Sequence, residues 1–256
     1  MKIQKLDGYT LVTYKDVYLR NGVLVQGLPG IGLVGKIAVD YIVSILGLEK
    51  VFELIGPGIM LPTGNVGVFV TNDGWLQLPS YKFYYYSGSE RDFLFLTSEV
   101  QPAVWAQYEV AEKVLDLFVS LGGREVVGAC GTVIEEKETG VYYALATNSL
   151  IEKLEAIGAK RSSGGTITGA CGLLPALASL RGLEAFVLMG STQSSEPNFI
   201  AAKEVITVLS KLYGIVVDLG EIEKVISRIK EKEKEMKRVL EETKPKEGEQ
   251  LPSWYV

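Results

Sequence analysis

The spacing of apolar residues in the first third of the chain predicts a short mixture of strands and one helix. Tyr9–Tyr14 and Val23–Gln26 alternate or run apolar in the manner of strands, and Val51–Ile55 is a short run typical of a buried strand. Gly35–Leu46 has helical periodicity and is predicted to end at Gly47, because glycine readily adopts the left-handed conformation that closes a helix.

Three or four more β-type runs are predicted between Val66 and Leu96. Two of them, Val68–Thr71 and Trp75–Leu78, are separated by Asn72-Asp73-Gly74. Because Asp and Gly tolerate positive φ, this connection predicts a β-hairpin.

Helices and strands alternate more regularly in the second half of the chain. The predicted helices are Pro102–Leu121, Asn148–Ile157, Ala170–Leu180 and Asn198–Tyr213, and the predicted strands are Glu125–Ala129, Ala185–Met189 and Ile215–Leu219. Alternation at this spacing predicts a three-layer α/β/α sandwich with a mixed, largely parallel central sheet.

The composition changes at residue 221, so we predict a core domain over residues 1–220. Apolar residues at heptad positions then predict a charged helix over 221–244, a docking or self-associating element. These positions are Ile222, Val225, Ile229, Met236 and Val239. Residues 245–256 are polar and are predicted to form a flexible tail, yet they finish in Trp254-Tyr255-Val256.

The composition narrows the classes of function. Apolar residues make up 47% of the chain, enough for a sizeable core, but no apolar run is long enough to cross a membrane. The net charge of −5 argues against a nucleic-acid surface. We therefore expect a cytoplasmic protein that binds neither membrane nor nucleic acid. The chain has no histidine, which removes Ser-His and Cys-His catalytic pairs and all histidine metal ligands.

The two cysteines, Cys130 and Cys171, occur in identical Gly-Ala-Cys-Gly tetrapeptides. Two thiols alone do not make a structural zinc site, so we predict no metal, and we expect small buried thiols in preference to a single disulfide. Asn and Gln are scarce while Lys and Glu dominate the surface-like segments, a pattern typical of thermophiles, in which an intracellular disulfide would be less surprising.

Residues 27–36, Gly-Leu-Pro-Gly-Ile-Gly-Leu-Val-Gly-Lys, overlap two phosphate-binding signatures. A P-loop requires Ser or Thr after its lysine, and Ile37 stands there. The dinucleotide motif requires an acid at the end of the next strand, but Glu49 precedes that strand and Glu53 lies within it.

We therefore interpret these glycines as structural: they allow a tight turn and a close approach of the helix to the sheet. The helix N-terminus at Gly30, Gly32 and Gly35 would still favour an anion. Asp92 with Glu135, Glu136 and Glu138 shows no spacing that identifies an acid–base pair, and no cofactor is predicted.

Several segments in order resemble the proteasome assembly chaperones, in particular their archaeal homologs. They are Gly27-Leu28-Pro29-Gly30-Ile31-Gly32 with Gly35, Gly165-Thr166-Ile167-Thr168-Gly169 with Gly172-Leu173-Leu174, the strand 185–190, and the helix running into 215–219. The resemblance implies an α/β/α fold similar to the nucleoside phosphorylases but without their catalytic groups. It also implies binding to the outer face of the proteasome α-ring.

In this family and in proteasome activators the chain ends in a hydrophobic residue, Tyr and any residue, which Trp254-Tyr255-Val256 match. The resemblance thus implies a homo-oligomeric, ATP-independent chaperone or adaptor, with proteasome α-subunits or a related family member as partners. Two alternatives stay open: an enzyme of phosphorylase-like fold that uses Gly30–Gly35 for phosphate, and a nucleotide-binding regulatory protein.

Overall fold

The computed structural model describes residues 1–133 and 139–242. It divides into two units, Met1–Asp218 and Leu219–Val256. The strands are β1 (Lys2–Leu6), β2 (Tyr9–Thr13), β3 (Gly22–Gly27), β4 (Glu49–Ile55), β5 (Phe69–Val70), β6 (Leu76–Gln77), β7 (Tyr81–Ser87), β8 (Asp92–Thr97), β9 (Gly123–Val133), β10 (Val141–Leu145), β11 (Lys160–Arg161) and β12 (Glu184–Thr192). The helices are α1 (Val34–Ile45), α2 (Gln107–Ser120), α3 (Ile151–Ala156), α4 (Ala170–Leu180), α5 (Phe199–Tyr213) and α6 (Gly220–Glu242).

In the described part of the chain, ten strands form one mixed sheet in the order β1-β2-β4-β7-β8-β3-β9-β12-β10-β11. Its centre, β8-β3-β9-β12, is parallel, and β1, β2, β4 and β7 extend it as an antiparallel arm. The parallel strands are apolar on both faces, as expected for strands covered by helices on each side.

Helices cover both faces of the sheet, which confirms the predicted α/β/α fold class. Helices α1 and α5 pack together on one face, and α2 and α4 on the other. The larger hydrophobic cluster lies on the α2/α4 side and includes Leu24, Phe83, Leu96, Phe118 and Leu174. The carboxyl ends of β3, β9 and β12 meet at one edge of the sheet, where ligands of open parallel sheets commonly bind.

The predicted hairpin is present, with β5 and β6 paired antiparallel as a separate two-stranded sheet. Gly74 adopts φ +81°, and its N–H donates to the Thr71 carbonyl to close the turn. The glycine therefore has the role that the sequence indicated.

The prediction of a strand at Ile215–Leu219 is wrong. Helix α5 ends at Tyr213 and is capped by Gly214, which has φ +67°. The Ile215 N–H donates to the Ser210 carbonyl, 3.1 Å away. This is the hydrogen bond of a Schellman cap, in which an apolar residue after the glycine packs back on the helix. Ile215 is accordingly buried, whereas Val216 is 87% exposed.

Other boundaries also differ from the prediction. The helix predicted at Asn148–Ile157 is only the short α3, and a 3-10 turn, Val104–Ala106, precedes α2 within the predicted Pro102–Leu121. The edge strands β1 and β11, and β10 next to β11, were not predicted. Residues 2–6 are mostly exposed and polar, so their strand depends on pairing with β2 more than on their own pattern.

Candidate functional site

The glycine loop, residues 27–35, connects β3 to α1 and brings that helix into direct contact with the sheet. A Cβ atom at Gly35 would overlap the Ala129 carbonyl oxygen of β9. A Cβ at Gly27 would in turn overlap the Gly35 carbonyl oxygen. Only glycine permits both approaches, so this geometry supports the structural interpretation of the loop.

The middle of the loop is tied to the start of α5. Gly32 has φ +59°, and its carbonyl accepts a hydrogen bond of 2.8 Å from the Asn198 N–H. The Asn198 side chain caps α5 by accepting from the Ala201 N–H at 2.9 Å. Gly30 differs from Gly32 and Gly35. Its φ is −171°, and a Cβ there would meet no atom closer than 4.0 Å.

Lys36, the residue at the P-loop lysine position, is engaged by two carboxylates. Its Nζ lies 2.7 Å from Asp40 Oδ2 and 3.1 Å from Glu99 Oε2. Burial by itself lowers the pKa of Lys36, but the hydrogen bonds and attraction of Asp40 and Glu99 outweigh it and raise the pKa. The ammonium is thus charged but already neutralised, an arrangement that disfavours a second anion beside it.

A cavity of about 380 Å³ lies at the carboxyl edge of the parallel strands, beside the glycine loop. Its described lining offers hydroxyls, amides and backbone, but no Asp, Glu, Lys or Arg side chain. The polar members are Gln101, Gln107, Thr132, Thr166 and Thr168. Such a lining can donate and accept hydrogen bonds, but it provides no ordinary general acid or base.

Gln101 connects the two glycine-rich segments across this cavity. Its Nε2 donates to the Pro29 carbonyl at 2.6 Å, and its Oε1 accepts from the Ala170 N–H at 3.4 Å. One amide therefore joins the glycine loop to the first residue of α4. The Ala170 N–H at the start of α4 is thus occupied by this side chain.

The expectation of two free thiols is wrong, because Cys130 and Cys171 form a disulfide. Their Cα atoms are 6.4 Å apart, which suits the bond. A Cβ at Gly128 would overlap the Cys171 carbonyl, so the start of α4 lies directly on β9, bringing the two Gly-Ala-Cys-Gly segments together. Both cysteines line the cavity.

The Asp92 carboxylate is held by Arg20 and Ser87, which indicates a structural role. The Arg20 guanidinium lies 2.8 Å from its Oδ1, and the Arg20 N–H and the Ser87 hydroxyl also donate to the carboxylate. Burial raises the pKa of Asp92, but these donors outweigh it and hold the pKa below its usual value. Glu135, Glu136 and Glu138 lie outside the described residues.

A second polar cluster lies at the opposite edge of the sheet and was missed by sequence reasoning. Arg91 Nη1 lies 2.5 Å from Glu125 Oε2, and the Tyr213 hydroxyl donates to the same carboxylate. Burial, then the nearby Glu125 charge, raises the pKa of Tyr213 well above its usual value. The three residues are far apart in sequence and belong to no motif, so only the fold reveals their contact.

The residues predicted to bind a partner, Trp254, Tyr255 and Val256, lie outside the described part of the chain. Helix α6, which precedes them, is described to Glu242 and carries 14 charged residues among its 23. In residues 1–133 and 139–242, no helix is long and apolar enough to cross a bilayer. The same residues contain no cluster of three His, Cys, Asp or Glu side chains that could hold a metal ion.

The chain matches a known protein family and is similar to a known protein over most of its length. Residues 24–237 match the model of the PAC2 family. An uncharacterized protein of Methanocaldococcus jannaschii is 31% identical over 246 residues, covering 91% of this chain and 93% of that protein.

Two solved structures from Pyrococcus furiosus are similar over nearly the whole chain. PbaB, an archaeal proteasome activator, has a TM-score of 0.80 at 28% identity, with 91% of this chain and 99% of PbaB covered. PbaA, an archaeal homolog of proteasome-assembly chaperone, has a TM-score of 0.76 at 25% identity, with coverage of 92% and 94%.

Proposed function

Because the chain belongs to the PAC2 family of proteasome assembly chaperones, we propose that it is a non-enzymatic chaperone or adaptor that binds the proteasome α-ring through its C-terminal tail. The observation that carries the proposal is the terminal Trp254-Tyr255-Val256, in a chain similar along its length to a proteasome activator. Its place of action would be the cytoplasm, and its role would be to hold α-subunits or to cap the assembled ring.

The chemistry of the last three residues suits a pocket on the α-ring. In this proposal Val256 would contribute its α-carboxylate, which requires a cationic partner such as a lysine. Tyr255 adds a rigid ring with a hydroxyl group, and Trp254 adds apolar area with few rotatable bonds. By chance, a chain of this composition would end in a hydrophobic residue, Tyr and any residue only about 2% of the time.

The composition of the segment before these three residues supports a role for the tail in binding another protein. Residues 243–253 contain two prolines, a glycine and several charged residues, a composition that does not build a core. A segment of this kind gains nothing for folding by ending in Trp and Tyr. Their presence is explained if they contribute apolar area to a contact with a partner.

A single tail would bind weakly, so the proposal includes a homo-oligomer. Once one tail is bound, the others face their grooves at an effective concentration in the millimolar range, and overall affinity rises by about 10²- to 10⁴-fold. An oligomer with several tails would recognise a ring with several grooves far better than it recognises a free subunit. The mechanism is steric and multivalent and requires no bond to be made or broken.

The proposal is tested by capturing the full-length protein on immobilised α-rings and on unassembled α-subunits. We expect Tyr255→Ala and Trp254→Ala to abolish capture on the ring, while Ser253→Ala, a matched change in the same tail, leaves it unchanged. Equal capture of all three variants would show that the tail does not carry the binding. If the unmodified protein is captured neither on α-rings nor on unassembled α-subunits, the proposed partner itself is contradicted.

A further inference from the structure

The β5–β6 hairpin presents an apolar surface to solvent. In its antiparallel register Phe69 lies opposite Gln77, and Val70 lies opposite Leu76. Because successive side chains point to opposite faces, Val68, Val70, Leu76 and Leu78 share one face, which we call the hairpin face. These four side chains are 40%, 66%, 74% and 50% exposed, respectively.

The other face of the hairpin is directed at the protein. Phe69 is half-buried and packs against the main hydrophobic cluster, and Gln77 opposite it is also half-buried. The pattern expected of an antiparallel sheet with one wet side is apolar-in and polar-out. On this hairpin it is the exposed side that is apolar, and packing within the described residues does not explain those four side chains.

The hairpin is also incomplete as a sheet. Among residues 1–133 and 139–242 it has two strands and is separate from the ten-stranded sheet, so within that part of the chain each strand has one unpaired edge. Two-stranded sheets are marginally stable in water, and contiguous exposed apolar patches usually mark a contact with another molecule. Trp75 is 74% exposed at the turn and adds aromatic area of the kind enriched in interfaces.

The scarcity of charged residues around the hairpin face favours a second copy of this chain as its binding partner. Residues 61–78 contain one charged residue, Asp73, although charged residues make up 22% of the chain and its net charge is −5. Two copies of an acidic chain repel each other, so a self-contact requires a region in which like charges do not face each other. Charge-poor apolar surfaces are typical of permanent homo-oligomer interfaces, whereas surfaces for transient partners are more polar.

We propose that the hairpin face binds the hairpin face of a second copy of this chain. A two-fold axis would place the same four side chains of each copy against one another, as in an isologous interface. This contact supplies the self-association on which the proposed multivalent tail binding rests. It is a property of the chain alone and requires no proteasome component.

The test is the mass of the purified full-length protein in solution, measured by sedimentation or light scattering over a range of concentrations. The unmodified chain should be an oligomer, a multiple of 28.0 kDa. Leu76→Glu, and separately Val70→Glu on the opposite strand, should weaken association at least about thirtyfold, the loss expected for an anchor residue of an interface. Leu180→Glu should leave the mass unchanged, because Leu180 is equally apolar and exposed but lies at the end of α4.

Circular dichroism and the melting temperature of each variant separate dissociation from unfolding. Two results would overturn the proposal: a monomeric unmodified chain, or hairpin variants that stay assembled like the unmodified chain. A third variant, Met236→Glu, tests the exposed apolar seam of α6. If it alone dissociates the oligomer, the contact lies in α6. None of these measurements involves the α-ring, so failure here leaves the tail proposal to its own test.

Discussion

The disulfide between Cys130 and Cys171 should make a large contribution to the stability of the core, and its reduction tests the packing of α4 on β9. The bond closes a loop with a sequence separation of 41 residues. The loss of chain entropy in the unfolded state for a loop of this size corresponds to about 4 kcal/mol at 25 °C. For a domain of this size that loss lowers the melting temperature by about 10 °C.

The assay is urea unfolding of the full-length protein with and without a small dithiol reductant, followed by circular dichroism. The control is the double variant Cys130→Ala/Cys171→Ala, which should resemble the reduced protein and should not respond to the reductant. A difference below about 1 kcal/mol between oxidised and reduced protein would contradict the reasoning. Such a result would mean that the bond does not restrict the unfolded chain or that α4 holds its place on β9 without it.

The remaining predictions concern the glycine loop and the buried Asp92. Gly35→Ala should destabilise the core by about 3 kcal/mol or more in thermal unfolding, because its Cβ would overlap the Ala129 carbonyl, while Gly30→Ala should be nearly neutral. A similar loss in both variants would refute the close approach at Gly35. Asp92→Asn should cost about 2 kcal/mol at neutral pH by weakening the contact with Arg20. The pKa of Asp92 is depressed below 3.8 in the folded state, so its contribution is present above pH 3.8 and is lost as the pH falls through the folded pKa. A penalty that persists in acid would contradict this assignment.

Much of the fold follows from local patterns, and the errors have local causes. Helix α4 has the predicted bounds, because a glycine precedes it and its apolar spacing is helical. The apolar run at Ile215–Leu219 resembled a strand, but only Ile215 is buried, and it caps α5. Periodicity does not distinguish a short buried strand from an apolar cap.

The candidate sites were harder to predict from the sequence, because they depend on residues that only the fold brings together. The pairing of Cys130 with Cys171 depends on the closeness of α4 to β9, which Gly128 permits and which spacing does not reveal. The sequence predicted the hairpin from Asn72-Asp73-Gly74. It did not predict that the hairpin's outer face would be apolar, since the runs on either side read as ordinary strands.

The central claim, that the C-terminal tail binds the proteasome α-ring, is tested most directly by one affinity. The dissociation constant of the full-length protein for assembled α-rings is measured beside that of the protein lacking residues 254–256. The account predicts that removal of the three residues weakens binding by at least about a hundredfold, because every tail of the oligomer loses its anchor at once. Equal affinity of the two proteins would contradict it.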